Sequence, residues 1–167
     1  ILQVIPALLN KTDANLVVIG SGDEDYARQF MALAEQHPER VMVHIGYSEQ
    51  LAHLLEAGSD LFLMPSRFEP CGLNQMYSMR YGTPPIVTAT GGLKDTVCDA
   101  STENLDKGCA TGFVCQEATS KALYDCVIRA ISLYQDKPAW RKLQKHAMAA
   151  DFDWANSAQQ YLKLYHK

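Results

Sequence analysis

Residues 65–97 read PSRFEPCGLNQMYSMRYGTPPIVTATGGLKDTV, and this stretch decides the fold. Just ahead of it, Asp60-Leu61-Phe62-Leu63-Met64 is a short apolar run without alternation that stops at Pro65. A strand buried on both faces of a parallel sheet has that pattern. Leu73, Met76, Tyr77, Arg80 and Tyr81 then recur at helical spacing, and Pro85-Ile86-Val87-Thr88 is a second strand-like run. Strand, helix and strand in this order make the repeating unit of an α/β fold.

The alternation continues on both sides. Strand-like runs fall at Leu16–Gly20, Val41–Gly46, Asp60–Met64, Pro85–Thr88 and Gly112–Cys115, and helical runs at Asp23–Gln36, Glu49–Ala57, Leu73–Tyr81, Ser120–Tyr134, Ala139–Ala149 and Trp154–Tyr165. The pattern predicts a doubly wound parallel sheet with helices on both faces. Ser120 and Asp153 stand where helix caps are expected, and Pro138 suits a first helical turn. Trp140, Trp154, Tyr161 and Tyr165 are expected to pack the C-terminal helices, with part of the last helix's apolar face exposed. The 167 residues suit one domain with a sizeable core.

Glu69 lies just beyond a strand's C-terminal end, the edge where open α/β sheets bind ligands. A carboxylate there can accept hydrogen bonds from sugar hydroxyls without being buried unpaired. Cys71-Gly72-Leu73-Asn74 opens a helix whose free N–H groups and positive dipole end can hold a phosphate, and Gly72 lets an oxyanion approach the backbone. Thr90-Gly91-Gly92-Leu93 reads as a second turn able to form an anion-holding concavity. Glycine's positive φ explains Gly91 and Gly92 equally well.

The net charge of −4 comes without a basic stripe or aromatic platform, which argues against nucleic acid. Arg141, Lys142, Lys145 and His146 read as a solvated helix face. The five cysteines, Cys71, Cys98, Cys109, Cys115 and Cys126, are odd in number and contain no Cys-x-x-Cys pair. That argues against a disulfide framework or zinc site and fits a reducing cytoplasm. His37, His44, His53, His146 and His166 show no ligand spacing, so no metal is expected. Neither an apolar stretch near membrane length nor a signal-peptide pattern occurs, so no membrane partner is expected.

SRFEPCGL, YGTPP and TGGLKDTV together resemble the GT-B glycosyltransferases, and within them the bacterial glycogen (starch) synthases that use ADP-glucose. Similarity extends through Gly20-Ser21-Gly22-Asp23, Ile45-Gly46-Tyr47, Thr111-Gly112-Phe113 and the Trp154 region, so it covers essentially the whole chain. The resemblance implies the Rossmann-like C-terminal half of a GT-B enzyme: a single nucleotide-sugar-binding domain over residues 1–167, with the N-terminal acceptor domain absent. It implies ADP or ADP-glucose as partner, an α-1,4-glucan acceptor bound mainly through the absent domain, retention of anomeric configuration and no cofactor.

By the same resemblance Glu69 is the catalytic-site acid that binds the glucose hydroxyls, and the backbone at Cys71 and Gly72 also faces the sugar. Leu73 and Asn74 offer N–H groups to the distal phosphate, Tyr47 stacks on adenine, and Gly20 and Gly22 admit base and ribose. The wider family carries a second Glu where Tyr77 stands, which removes ribose binding by a carboxylate there. Asn74 replaces a more usual Thr, and only its backbone contact carries over. The Arg and Lys that neutralise the diphosphate in the family have no counterpart here, so this chain alone is expected to be inactive.

Ile1, Leu2, Val4, Ile5, Leu8 and Leu9 share a helical face without a preceding cap, which reads as a helix entered partway, with Pro6 as a kink or boundary. The family's first strand would then be missing from mid-sheet, and Leu16–Gly20 and Asp60–Met64 are expected to close up directly or pair with another molecule. Two other functions remain open: a different GT-B transferase, using a UDP-sugar or of sucrose type, and a non-catalytic nucleotide-binding module.

Overall fold

The computed structural model describes residues 1–165, so His166 lies outside the described residues. Its elements run α1 (Ile5–Lys11), β1 (Leu16–Gly20), α2 (Glu24–Gln36), β2 (Val41–Ile45), α3 (Glu49–Gly58), β3 (Phe62–Met64) and α4 (Asn74–Tyr81), then β4 (Pro85–Thr88), α5 (Gly91–Thr96), α6 (Thr102–Lys107), β5 (Phe113–Cys115), α7 (Ser120–Gln135), α8 (Lys137–Ala149) and α9 (Trp154–Tyr165). The strands and longer helices match the alternation in the sequence, while the short α5 and α6 replace what reads as turn and loop. Apolar periodicity cannot reveal one-and-a-half turns of helix.

Among the described residues all strand pairings are parallel, as the alternation predicts, but the strands form two sheets. β1 pairs with β2 in register Leu16 to Val41, and β4 sits between β3 and β5, Phe62 facing Pro85 and Ile86 facing Phe113. Of the two alternatives expected for β1 and β3, direct closure on one another is not met. β3 is accordingly half-buried along its length, against the reading of a strand covered on both faces, whereas β4 and β5 are buried throughout.

Three apolar clusters hold the layers together. Val4, Ile86, Phe113, Trp140 and Leu143 belong to the largest, where Trp140 stacks on Phe113 at 6.4 Å and Tyr134 meets it edge-on at 5.2 Å. Met79, Val87, Leu93, Val97 and Ala147 form the second, between α4, β4, α5 and α8. Ile5, Leu9, Leu33 and Val41 form the third, under the β1–β2 sheet. The α1 segment joins two clusters, Val4 entering the first and Ile5 and Leu9 the third.

Residues 1–4 form a turn, with the N–H groups of Val4 and Ile5 bonded to the Ile1 carbonyl, and α1 starts at Ile5 with Pro6 in its first turn. The reading of a helix already under way at Ile1 is therefore corrected: Pro6 has no N–H to give and suits a helix start. Thr119, not Ser120, caps α7, and Pro138 lies in the first turn of α8 behind the Asp136 cap. Trp140 is buried as expected, but Trp154 is 82% exposed and Tyr165 81%, so α9 presents its aromatic side chains to solvent.

Candidate functional site

The C-terminal ends of the strands bring the candidate residues into two groups. At the β1–β2 end, the Gly46 N–H bonds to the Gly20 carbonyl at 2.8 Å, extending the ladder past the strands. Tyr47 emerges directly after it with 86% of its surface free. Gly20, Ser21, Gly22 and Asp23 line a cleft of about 720 Å³ together with Ile1, Leu2 and Gln3 and with Pro65 and Arg67 from the segment after β3. This is the crevice between strand ends where α/β folds bind ligands.

The second group lies along the β3–α4 connection. Glu69 is half-buried, and the exposed Cys71 precedes a half-buried Gly72. Gly72 has φ +73°, a left-handed conformation that favours glycine. A Cβ there would stand 2.5 Å from Oε1 of Gln75, so the glycine serves a packed side chain as well as the turn. Leu73 occupies the N-cap of α4 and Asn74 is its first residue, and no side chain caps the helix.

The helix starts nearby differ in capping, and α5, behind Thr90, lacks a side-chain cap as α4 does. The Asp23 carboxylate fills the N-terminus of α2, accepting from the N–H groups of Asp25 at 2.8 Å and Tyr26 at 3.3 Å, and Ser48 and Thr119 cap α3 and α7. The first-turn donors of α4 have no side-chain partner, and Leu73 and Asn74 at its start are exposed.

Gly91 and Gly92 do not form a turn; they are the first residues of α5. Their Cα atoms press against the Glu69–Cys71 backbone, and the Gly92 N–H bonds to the Glu69 carbonyl at 3.3 Å. They hold the loop that carries Glu69. Tyr77 lies farther along α4, its ring 5.9 Å from that of His53.

Leu73, Met76, Tyr77, Arg80 and Tyr81, which recur at helical spacing, do not mark the buried face of α4. Instead Gln75, Ser78 and Met79 are buried, and Leu73, Tyr77 and Tyr81 are exposed. The Gln75 amide nitrogen and the Ser78 hydroxyl find partners there, while Oε1 of Gln75 has none among the described residues. Nε2 of Gln75 donates to the carbonyls of Cys71 at 3.2 Å and Gly72 at 3.0 Å and to Oγ1 of Thr96 at 3.2 Å, and Ser78 donates to the Gln75 carbonyl at 3.0 Å. Sequence reasoning missed Gln75, whose partners are two local carbonyls and, once α4 and α5 meet, Thr96. It also missed Arg67, a cation in the cleft only two positions before Glu69 in the sequence.

The sequence matches the family described as glycosyl transferases group 1 over residues 1–147. The chain belongs to the group 1 glycosyl transferases. It is 54% identical to the glycogen synthase of Hydrogenovibrio crunogenus and to that of Thioalkalivibrio sulfidiphilus, over 99% of this chain and 34% of each relative. The chain thus spans about a third of the length of these curated relatives.

Among solved structures, the catalytic domain of Arabidopsis thaliana starch synthase IV bound to ADP and acarbose superposes with a TM-score of 0.83 at 34% identity, covering 98% of this chain and 35% of that one. Sucrose-phosphate synthase from Thermosynechococcus elongatus, at 22% identity and TM-score 0.65 over 99% of this chain and 41% of its own, shares the fold. The architecture is therefore that of the GT-B glycosyltransferases. Among the described residues, no helix is long and apolar enough to cross a membrane.

Proposed function

We propose that residues 1–167 form one nucleotide-sugar-binding domain, the donor half of a glycogen synthase. The whole enzyme transfers glucose from ADP-glucose to the non-reducing end of an α-1,4-glucan with retention. The observation that carries this reading is the open N-terminus of α4, set beside Glu69 in a chain similar along nearly its whole length to a starch synthase bound to ADP.

The transition state of such a transfer has oxocarbenium character and leaves negative charge on a diphosphate. The site must orient the sugar and stabilise that charge. Glu69 accepts hydrogen bonds from the glucose hydroxyls, and the backbone at Cys71 and Gly72 borders the sugar. The N–H groups of Leu73 and Asn74 meet the distal phosphate, an interaction worth about 0.3–2 kcal/mol for a helix terminus. Tyr47 stacks on the base, Gly20 and Gly22 leave room for base and ribose, and Arg67 adds positive charge in the cleft. Gly91, Gly92 and Tyr77 act at one remove, the glycines through the Glu69 loop. The glucan is held mainly by residues outside this chain, and the 167 residues alone are inactive.

Titration with ADP, ADP-glucose and UDP-glucose, followed through backbone amide shifts, tests this. The expected result is a response at Tyr47 and Glu69–Asn74 that is stronger for the adenine ligands. Silence with all three ligands, or an equal response to UDP-glucose, overturns it. Glu69→Ala should weaken ADP-glucose binding and spare ADP; equal, unchanged affinities would instead favour a nucleotide-binding module without sugar recognition.

A further inference from the structure

Two pairs of thiols meet in this fold, although neither pair is adjacent in sequence. Cys98 follows α5 and Cys109 follows α6, and their Sγ atoms stand 3.5 Å apart. Their backbones are braced. The Cys98 carbonyl accepts from the N–H groups of Thr111 at 2.9 Å and Gly112 at 3.2 Å, its N–H donates to Oγ1 of Thr111 at 2.9 Å, and the Cys109 N–H donates to the Asn104 carbonyl at 3.0 Å. Cys109 is exposed and Cys98 partly so. The second pair, Cys115 and Cys126, is only 3% and 5% exposed, so a reagent reaches the first pair and not the second.

We propose that Cys98 and Cys109 are a reversible modification site, converted to an intrachain disulfide by exchange with a small-molecule disulfide such as oxidised glutathione. The Cys109 thiolate attacks one sulfur of the oxidant, forming a mixed disulfide and expelling one glutathione thiolate. The Cys98 thiolate then attacks the Cys109 sulfur and expels the second. The two protons lost by the cysteines end on two glutathione molecules, so the protein is oxidised by two electrons and the glutathione disulfide is reduced by two. The sulfurs must close from 3.5 Å to the roughly 2.05 Å of an S–S bond. Exposure puts Cys109 first; burial, and then the neighbouring Cys109 thiol, push Cys98 up to about 11, which makes it the slower thiol, so it attacks second, helped by its closeness to the Cys109 sulfur. The bond closes the loop that carries α6.

The test treats the folded chain with oxidised glutathione at mildly alkaline pH, alkylates the remaining thiols and sequences the peptides by mass spectrometry. The expected product is a Cys98–Cys109 linkage that dithiothreitol removes, with Cys115 and Cys126 alkylated only after unfolding. Cys98→Ser should halt at a glutathione adduct on Cys109. The proposal is overturned if both Cys98 and Cys109 remain open to alkylation, or if the unaltered chain ends with a stable glutathione adduct on Cys109 in place of the linkage.

Discussion

Gly91 packs so closely on Glu69 that a Cβ at position 91 would overlap the Glu69 carbonyl oxygen. With φ at +42°, Gly91 also holds a conformation that L side chains rarely adopt. Gly91→Ala must therefore displace the loop bearing Glu69. Overpacking of this kind costs about 1–3 kcal/mol, measurable by urea denaturation. If Glu69 binds the sugar as proposed, the same variant is expected to lose ADP-glucose affinity more than ADP affinity, because its carboxylate moves while Gly20, Gly22 and Tyr47 do not.

Gln75 secures the same loop from beneath. It is fully buried, and its amide serves two loop carbonyls and Thr96, whose hydroxyl donates to the Gly92 carbonyl at 2.6 Å. Gln75→Leu keeps most of the volume and removes the donor to the Cys71 and Gly72 carbonyls, at a cost of about 1–3 kcal/mol. Amide exchange at residues 71–73 should accelerate in this variant, while exchange in β1 and β2 stays unchanged.

The sequence shows most clearly what depends on local pattern. Uniformly apolar runs mark the strands, and Pro85 and Pro138 sit where their missing N–H is harmless. Glu69 and Gly72 stand out because a strand end and a helix start frame them. The inner face of α4 was hidden because Gln75 and Ser78 look like surface residues, although their backbone partners lie only three or four positions earlier; Thr96 alone reaches Gln75 from another element. The same holds for Gly91 and Gly92, whose lack of a side chain answers to a loop some twenty positions earlier, and for Cys98 and Cys109, whose proximity depends on how α6 folds back. Contacts across sequence distance leave no periodic trace.

Glu56 is 4% exposed, and its Oε2 lies 3.6 Å from Nδ1 of His53, too far for a hydrogen bond. Burial raises its pKa above the ordinary 4.5, against the opposing pull of the His53 charge and side chain. A carboxyl with a raised folded pKa binds its proton more tightly in the native state. Its contribution to stability is therefore present below pH 4.5 and lost as pH rises through the folded value. Glu56→Gln is expected to remove that decline and to raise the urea midpoint at neutral pH. Midpoints measured from pH 4 to 8 check it; parallel curves for the two proteins would rule it out.

Asp99 ties three parts of the second sheet together. Its Oδ1 accepts from the Val114 N–H at 2.7 Å and from Nη2 of Arg129 at 2.6 Å, and its Oδ2 accepts from Nη1 at 3.0 Å, making a two-pronged pair between β5, α7 and the segment after α5. The pair is partly shielded, with side-chain exposures of 25% for Asp99 and 39% for Arg129, so solvent screens it less than a surface pair. Arg129 also donates to the Ala100 carbonyl at 3.2 Å and lies 5.3 Å over the Phe113 ring. Arg129→Met retains part of the packing but strips the carboxylate of its partner, and a loss of about 1.5–3 kcal/mol is expected for hydrogen bonds to a charged group. Arg129→Lys should recover only part of this, because an ammonium cannot make the forked contact. Equal stability of the Lys and unaltered proteins in urea would show that charge alone, and not the fork, holds α7 to the sheet.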